Sequence, residues 1–445
     1  MKFTASIWLM TMLAACAHGS DWPRWLGPTG DSVWSETDVV QSIPAGGLKE
    51  KWEFPVGLGY AGPAVAGGRV YVMDYVRTAG EITNNPGSAD ALQGTERIIC
   101  LDAKTGEKVW IHEYDRPYRL SYPGGPRCTP TVAEGKVYAL GAEGDLHCLD
   151  AETGAVRWSK NFARDYQAEA PHWGYAAHPL VRDGLVYCVV GGPGSIAVAL
   201  DIDTGVERWR ALSAASAGYC PPTIIEHGGV EQLLIWHPEA LNSLNPKTGE
   251  LYWTEALKPR AGMSVTAPRK FGSYLFASGF GDTGALYRLN DEKPAVEMIW
   301  RGHPRTAVYT CNNTPIFTAG AIYGVDITTS ALTAVSVDDG RRLWETTQPV
   351  LGAEGASGRH GAAFLVRLRD TDTYYVFNER GDLVIAELTP GGYREIGRQH
   401  ILEPTNTSSG RSCVWSHPAY AGRTLFARND ARIVAVDLGQ DSYAK

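Results

Sequence analysis

Short apolar runs, each bounded by turn-forming residues, recur along most of the chain. In one recurring pattern, an apolar pair is followed by Asp or Asn, two variable residues, the pair Thr-Gly, three further residues and finally Trp. Copies with the Thr-Gly pair occupy Asp102–Trp110, Asp150–Trp158, Asp201–Trp209 and Asn245–Trp253, and a weaker copy occupies Ser336–Trp344. In all five, Trp follows Gly by four residues. A fixed repeat of this kind indicates one supersecondary unit used many times.

Each copy predicts a β-hairpin. The apolar residues before Asp form one strand, and the Asp or Asn side chain accepts hydrogen bonds from the backbone of the turn. Gly supplies the positive φ that lets the chain reverse. The Trp at the end of the second strand offers a large apolar face to a neighbouring sheet. We therefore expect these Trp residues to be core residues.

A second pattern precedes each hairpin: Pro, an apolar pair, Gly, and then Val-Tyr or a variant of it. Examples begin at Pro63, Pro130, Pro179, Pro315 and Pro418. The two patterns together predict four strands in a repeat of about 50 residues, which is the size of a β-propeller blade.

The blade count predicts an all-β fold, a single eight-bladed β-propeller of four-stranded antiparallel blades. The final strands carry Trp52, Trp110, Trp158, Trp209, Trp253, Trp300 and Trp344, with Ile396 in a degenerate copy. Residues 416–438 supply three strands, and the strand around Trp52 precedes the first complete blade. We expect this N-terminal strand to complete the last blade and close the ring, which removes exposed sheet edges.

The domain organisation follows from this count. We predict a propeller over residues 49–438 with a polar insertion at 77–96 in blade 1, an N-terminal arm over 21–48 and a short tail over 439–445.

Residues 1–20 are typical of an export signal, with Lys2 followed by a short apolar run over Ile7–Ala15. Ala15-Cys16-Ala17 fits ordinary cleavage, whereas Leu13–Cys16 resembles a bacterial lipobox in which Cys16 would be acylated. Both alternatives stay open. No later apolar run is long enough to cross a bilayer, so we expect no transmembrane span. The predicted location is the periplasm or the outer membrane.

Composition excludes some classes of function. The formal net charge is -8 and no basic cluster is present, which argues against nucleic acid as a partner. Seven cysteines remain besides Cys16, without a C-x-x-C spacing. Cys100, Cys148 and Cys188 lie in apolar runs and are expected to be buried as small hydrophobic residues. No metal site is expected.

The Asp-x-x-Thr-Gly-x-x-x-Trp repeats resemble the pyrroloquinoline-quinone-repeat (PQQ-like) family over about residues 49 to 438. One branch of that family consists of quinone-dependent dehydrogenases, and another consists of BamB-like exported propellers without a cofactor. This sequence has no adjacent cysteine pair and no C-x-x-C-H haem motif, and no motif here matches the catalytic Asp of the dehydrogenases. The resemblance therefore implies a propeller without a cofactor, and PQQ with Ca²⁺ is the alternative that it leaves open.

The loops that enter the first strand of each blade are rich in polar and aromatic residues, and we expect them to converge on one mouth of the central channel. A wet channel that merely solvates these residues is the simpler interpretation. As a ligand site, three arginines would hold an anion, aromatic residues would stack on a ring, and histidines would be available as ligands or donors. The candidates are Arg127, His172, Trp173, His178, Tyr219, Asn312, Arg359, His360, Arg411 and Trp415.

With no catalytic signature in the sequence, we predict a non-enzymatic, monomeric binding or assembly scaffold of the cell envelope. Its partner would be an envelope protein or a cell-surface component. The alternatives are a PQQ-dependent dehydrogenase and a small-molecule or glycan binder that uses the channel mouth.

Overall fold

The computed structural model describes residues 20–408 and 410–444. The predicted export signal and Cys16 therefore lie outside the described residues, apart from Ser20. Among the described residues, eight sheets of antiparallel blade strands form a ring. In seven of them the four blade strands are neighbours in chain order, and in the eighth the N-terminal strand joins three strands from the end of the chain. The predicted all-β, eight-bladed propeller is confirmed.

Blades 1 to 4 each consist of four consecutive strands. Their bounds are Ala64–Ala66, Arg69–Ala79, Asp90–Asp102 and Lys108–Asp115 in blade 1; Thr131–Ala133, Lys136–Leu140, Asp145–Asp150 and Val156–Asn161 in blade 2; Leu180–Arg182, Leu185–Val189, Ala197–Asp201 and Glu207–Ala211 in blade 3; and Thr223–His227, Val230–Trp236, Ala240–Leu244 and Leu251–Ala256 in blade 4.

Blades 5 to 8 continue the pattern. Their bounds are Arg269–Phe271, Tyr274–Gly279, Thr283–Leu289 and Val296–Arg301 in blade 5; Ile316–Phe317, Ile322–Val325, Leu332–Val335 and Arg342–Thr346 in blade 6; Ala363–Leu368, Thr373–Asn378, Asp382–Thr389 and Gly392–His400 in blade 7; and Ala419–Ala421, Thr424–Arg428, Arg432–Asp437 and Glu50–Pro55 in blade 8.

The ring closes through the N-terminal strand, as predicted. Glu50–Pro55 pairs antiparallel with Arg432–Asp437, and Trp52 lies opposite Ala435. The first and last parts of the propeller thus share one sheet, so that neither end of the ring leaves an unpaired edge.

The propeller has two distinct ends, the turn face and the loop face. The turn face carries the Thr-Gly turns, and the loop face carries the loops that connect successive blades. In the turn that begins at Asp102, the carboxylate accepts hydrogen bonds from the backbone N–H groups of Lys104 (2.9 Å) and Thr105 (3.0 Å). The predicted turn chemistry is present.

The Trp of one blade packs against the turn of the next. The indole N–H of Trp110 donates to the carbonyl of Ala151 in the turn of blade 2, at 3.1 Å. Trp158 makes the same bond to Ile202 of blade 3, at 3.2 Å. Trp110 and Trp158 are buried as predicted, whereas Trp253 and Trp344 of the same repeat are only partly buried. Each bond ties two neighbouring blades together.

Short elements outside the blades complete the fold. They are the strands Val33–Trp34, Tyr118–Leu120, Asn406–Ser408 and Arg411–Cys413, the α-helices Phe162–Tyr166 and Gln348–Leu351, and the 3₁₀ helices Arg260–Gly262 and Gln440–Tyr443. No helix among the described residues has the length and apolar character needed to cross a bilayer.

The N-terminal arm runs across the turn face. Trp22 exchanges two backbone hydrogen bonds with Val65 on the first strand of blade 1, and the carbonyl of Pro23 accepts from Val132 on the first strand of blade 2. Further along, the carbonyl of Gly30 accepts from Arg269 of blade 5. Because the first strands surround the central channel, the arm covers the channel at this end.

The arm is held by a buried aromatic cluster. Val33–Trp34 pairs parallel to the first strand of blade 7. Trp34 is 1% exposed and its ring centroid lies 5.3 Å from both Tyr375 and Tyr420. An aromatic residue buried this completely makes a large contribution to the stability of the segment that carries it.

Candidate functional site

A cavity of about 600 Å³ occupies the central channel and opens toward the loop face. Its size lies in the range of small-molecule sites. Loops from most of the blades supply its walls, and Trp25 of the N-terminal arm lines it as well. The arm crosses the turn-face end of the channel, where its Trp25 lines the cavity.

Trp25 forms the floor together with two histidines. Its indole stacks on the ring of His178, with centroids 4.6 Å apart and planes 21° apart. The His417 ring meets the same indole edge-on, at 5.6 Å. These three rings come from the arm and from the loops that enter blades 3 and 8.

Both floor histidines are electrically neutral at ordinary pH. Burial lowers the pKa of His178 to about 3, with a further contribution from His417. Burial also lowers the pKa of His417 to about 3. The cost of placing a charge away from water accounts for both shifts.

One wall of the cavity is an aromatic cluster on the side of blades 1 and 8. The ring of Trp415 lies 6.4 Å from Tyr60 and 5.9 Å from Tyr122. The indole N–H of Trp415 donates to the carboxylate of Glu379 at 3.3 Å. This bond fixes the orientation of the Trp415 ring.

The other walls carry two further aromatic pairs. Trp173 and Tyr219 lie 5.7 Å apart, and burial raises the pKa of the Tyr219 hydroxyl to about 12, so this tyrosine is protonated at neutral pH. Phe280 and His360 lie 5.8 Å apart on the side of blades 5 and 7. Aromatic faces therefore surround the cavity on several sides.

Arg127 supplies the cationic side chain of the lining. Its guanidinium donates to the carbonyls of Ser121, Tyr122 and Gly125 and lies over the Tyr60 ring at 5.1 Å. Within the described residues these partners are carbonyls and a ring face, with no carboxylate among them. The positive charge of Arg127 is therefore uncompensated by an ion pair.

Arg411, in contrast to Arg127, forms an ion pair. Its Nε donates to Glu379 at 2.6 Å, and the Glu379 side chain is 2% exposed. The same carboxylate accepts from the backbone N–H of Ala362 at 3.0 Å. Arg411 thus neutralises a buried carboxylate and holds the loop that carries Trp415.

The mouth of the cavity is partly covered by the long hairpin of blade 1. The segment 77–96, expected as an insertion, belongs to the outer part of this hairpin, and Pro86 and Gly87 at its tip line the cavity. The Asn84 side chain donates to Asn406 at 3.0 Å and to the carbonyl of Thr407 at 2.9 Å. The tip is thereby tied to the small hairpin that precedes blade 8.

The structure brings seven of the ten predicted site residues to the cavity wall. They are Arg127, Trp173, His178, Tyr219, Asn312, His360 and Trp415. The other three are placed elsewhere: His172 bonds to the carbonyl of Pro86, Arg359 is exposed, and Arg411 pairs with Glu379. The three arginines therefore do not converge on one ligand position.

Three residues that shape the site were not singled out from the sequence. Trp25 and Tyr60 line the cavity, and Glu379 holds Trp415. His417, which follows Trp415 by two residues in the same loop, lines the cavity as well. No repeat position marks Trp25, because the arm lies outside the repeats.

A family model described as outer membrane protein assembly factor BamB matches residues 94–227 and 238–444. The chain belongs to this BamB-like, PQQ-repeat family. The resemblance seen in the repeats is thereby confirmed. A comparison with curated proteins found no significant match.

Solved structures share the fold of this BamB-like chain. BamB from Moraxella catarrhalis has a TM-score of 0.57 at 15% identity, covering 88% of this chain and 97% of its own. The quinohemoprotein alcohol dehydrogenase from Comamonas testosteroni has a TM-score of 0.58 at 13% identity, covering 94% and 80%. The quinohemoprotein alcohol dehydrogenase ADHIIG from Pseudomonas putida HK5 has a TM-score of 0.59 at 14% identity, covering 95% and 80%.

The lining does not fit the quinone and Ca²⁺ of the dehydrogenase branch. Ca²⁺ takes about six to eight oxygen ligands, usually with carboxylates among them, and no Asp or Glu belongs to the described lining. Glu379 is already satisfied by Arg411 and Ala362. PQQ also carries several carboxylates, for which the described lining provides one cation, Arg127. Elsewhere in the described residues, no cluster of three or more His, Cys, Asp or Glu could hold a metal ion.

Proposed function

We propose that this protein is a non-enzymatic binding propeller that holds a small aromatic anion in its central cavity. The observation that carries the proposal is a cavity of about 600 Å³ with aromatic walls and one arginine that has no carboxylate partner among the described residues. Cavities of this size with a few convergent polar groups are the usual form of a ligand site.

Aromatic walls select a ring. The ring of Trp415 is fixed by Glu379, and Trp173 and Tyr219 form a second aromatic surface. Offset stacking between aromatic rings contributes about 0.5–1.5 kcal/mol beyond the burial of area. A flat ligand gains this contribution from the walls, whereas a flexible aliphatic ligand does not.

The positive charge of Arg127 favours a ligand with a negatively charged group. Its guanidinium is held by carbonyl oxygens of its own loop, which fix its position without neutralising it. A carboxylate or sulfonate would gain charge-assisted hydrogen bonds, which are about twice as strong as neutral ones.

The experiment is a fluorescence titration of the protein with 2-naphthoate. Ala176→Phe places a bulky ring in the cavity lining and is expected to weaken binding at least ten-fold. Val206→Phe is the matched control, because Val206 is 57% exposed on the outside of the propeller. Equal binding by both variants, or no binding by the unmodified protein, would contradict the proposal.

The dehydrogenase alternative is tested in the same assay. Titration with PQQ and Ca²⁺, followed by dye reduction with alcohols, is expected to give neither stoichiometric binding nor turnover, because the described part of the lining offers no carboxylate ligand.

A role in the cell envelope is the second candidate, and the match to the family described as outer membrane protein assembly factor BamB favours it. In this role the protein would be exported and would contact an envelope protein or a surface component. Fractionation of a Gram-negative host that expresses the full chain tests the location. Recovery with the outer membrane, lost on Cys16→Ala, would support a lipid anchor, and cytoplasmic recovery would contradict export.

A further inference from the structure

The inner end of the cavity is uncharged. Among the residues described, the floor consists of Trp25, His178, His417 and Thr129. The cation of the lining, Arg127, lies on the same loop as Thr129 but two residues nearer the mouth, a separation of up to about 7 Å of extended chain. The cavity therefore has a charged side and an uncharged end.

The hydrogen-bond role of His178 follows from its partner. The backbone N–H of Thr129 donates to Nδ1 of His178 at 2.8 Å. A backbone amide can only donate, so Nδ1 carries the lone pair. In a neutral imidazole the proton is then on Nε2, which acts as a donor.

The surroundings keep both imidazoles neutral. Burial is the largest cause of the lowered pKa of His178 and of His417, and each ring lies near the other. Trp25 covers His178 on one side, and Phe364 contacts His417 at 3.9 Å between ring centroids.

We propose that the floor formed by Trp25, His178 and His417 is a hydrogen-bonding subsite for an uncharged oxygen of the ligand, such as a phenol, ether or carbonyl oxygen. This inference rests on the proposed function and specifies the ligand further. The ligand is an aromatic molecule with an anionic group toward Arg127 and a neutral, oxygen-bearing end at the floor.

An ionic group at the floor is disfavoured by desolvation. Burying an ion away from water without a counter-charge is unfavourable, and the described residues of the floor offer no counter-ion. A neutral oxygen that accepts from Nε2 of His178 avoids this cost and satisfies a donor that is otherwise left to water.

Two probes test the subsite. The full-length protein is titrated with 2-naphthoate and with 6-hydroxy-2-naphthoate, which adds a neutral hydroxyl at the far end of the ring. One net hydrogen bond changes the dissociation constant about five-fold. We expect the hydroxylated probe to bind about five-fold more tightly, without proton uptake between about pH 6 and 8.

A variant of the floor tests whether the tighter binding of the hydroxylated probe arises there. His178→Phe is expected to remove the five-fold advantage of the hydroxylated probe over 2-naphthoate, because it removes the Nε2 donor of the floor. His303→Phe is the control, since His303 is an exposed loop histidine outside the cavity lining, and it should keep the advantage. If His178→Phe does not fold, the probe pair on the unmodified protein remains a test by itself.

The outcomes separate the two proposals. Equal affinities for the two probes, with both still blocked by Ala176→Phe, would overturn the floor subsite and leave the cavity as a binding site. Binding of either probe with uptake of a proton would show that the floor accepts an anion, and this would overturn the subsite as well. Failure of both probes to bind would overturn the proposed function and the subsite together.

Discussion

The six-membered part of the Trp110 indole lies directly beneath Gly154 of the following blade. A Cβ at Gly154 would come within 2.7 Å of Trp110 Cδ2. The same relationship joins Trp52 with Gly106, Trp158 with Gly205 and Trp209 with Gly249. The Trp leaves no room for a Cβ at this Gly. The repeat therefore requires Gly for close packing between blades as well as for the positive φ of the turn.

Gly154→Ala is therefore expected to lower the stability by more than backbone strain alone. Gly184→Ala is the matched control, because Gly184 has a similar φ of +76° with nothing within 4 Å of its Cβ, against +72° at Gly154. Strain costs about 1–2 kcal/mol at each site, and the contact with Trp110 adds to it at Gly154. Urea unfolding of both variants measures the difference, and equal losses would contradict the interface role.

Arg411→Ala is expected to lower the free energy of unfolding by roughly 3 kcal/mol, because it leaves the buried Glu379 carboxylate without its counter-charge. The fluorescence of Trp415 should change as well, since Glu379 accepts from its indole. Arg394→Ala removes an exposed ion pair with Glu387 and should leave the stability unchanged. A similar effect of both substitutions would contradict the buried role of Glu379.

Glu96 lies between blades 1 and 2, where Tyr114, Tyr118 and the backbone N–H of Ala142 donate to it. Burial raises the pKa of Glu96 despite these donors. A raised pKa in the folded state means that the contribution of Glu96 to stability is present at low pH and is lost as pH rises through the folded-state pKa.

Glu96→Gln is expected to remove this dependence. The stability of the variant relative to the unmodified protein should increase from pH 4 to pH 8, as measured by thermal unfolding across that range. A stability difference that is constant with pH, or that decreases as pH rises, would show that ionisation of Glu96 does not destabilise the folded protein.

The seven described cysteines are all buried and unpaired, and burial raises the pKa of thiols such as Cys100 and Cys188 to about 12. The thiolate is the reactive form. We expect the folded protein to react with a thiol reagent over hours, whereas unfolding in guanidinium should expose all seven within minutes. Rapid labelling of the folded protein would contradict this burial.

Trp34→Ala is expected to lower the free energy of unfolding by about 3–5 kcal/mol, the usual cost of truncating a buried Trp. The arm that carries Trp25 should loosen as well. Limited proteolysis within residues 20–48 measures the second effect, and resistance equal to that of the unmodified protein would contradict the role of Trp34 as the anchor of the arm.

The sequence by itself determined the repeat, the blade count and the closure of the ring. These follow from local chemistry, because each turn is specified by its own Asp, Thr and Gly and each hairpin by its own alternation. The strand at Trp52 was assigned to the last blade from a count of strands, and its pairing with Arg432–Asp437 confirms it. The predicted burial of Cys100, Cys148 and Cys188 is confirmed for the same reason, since each lies in an apolar strand.

The tertiary structure alone decided the site. The structure places seven of the ten candidate residues at the cavity wall, because loops before the first strands converge at one end of the channel. The pairing of Arg411 with Glu379 and the position of Trp25 could not be inferred, since both depend on contacts between segments far apart in the chain. Irregular loops and the arm carry no repeat, and only the packing of the closed ring determines which of their side chains meet.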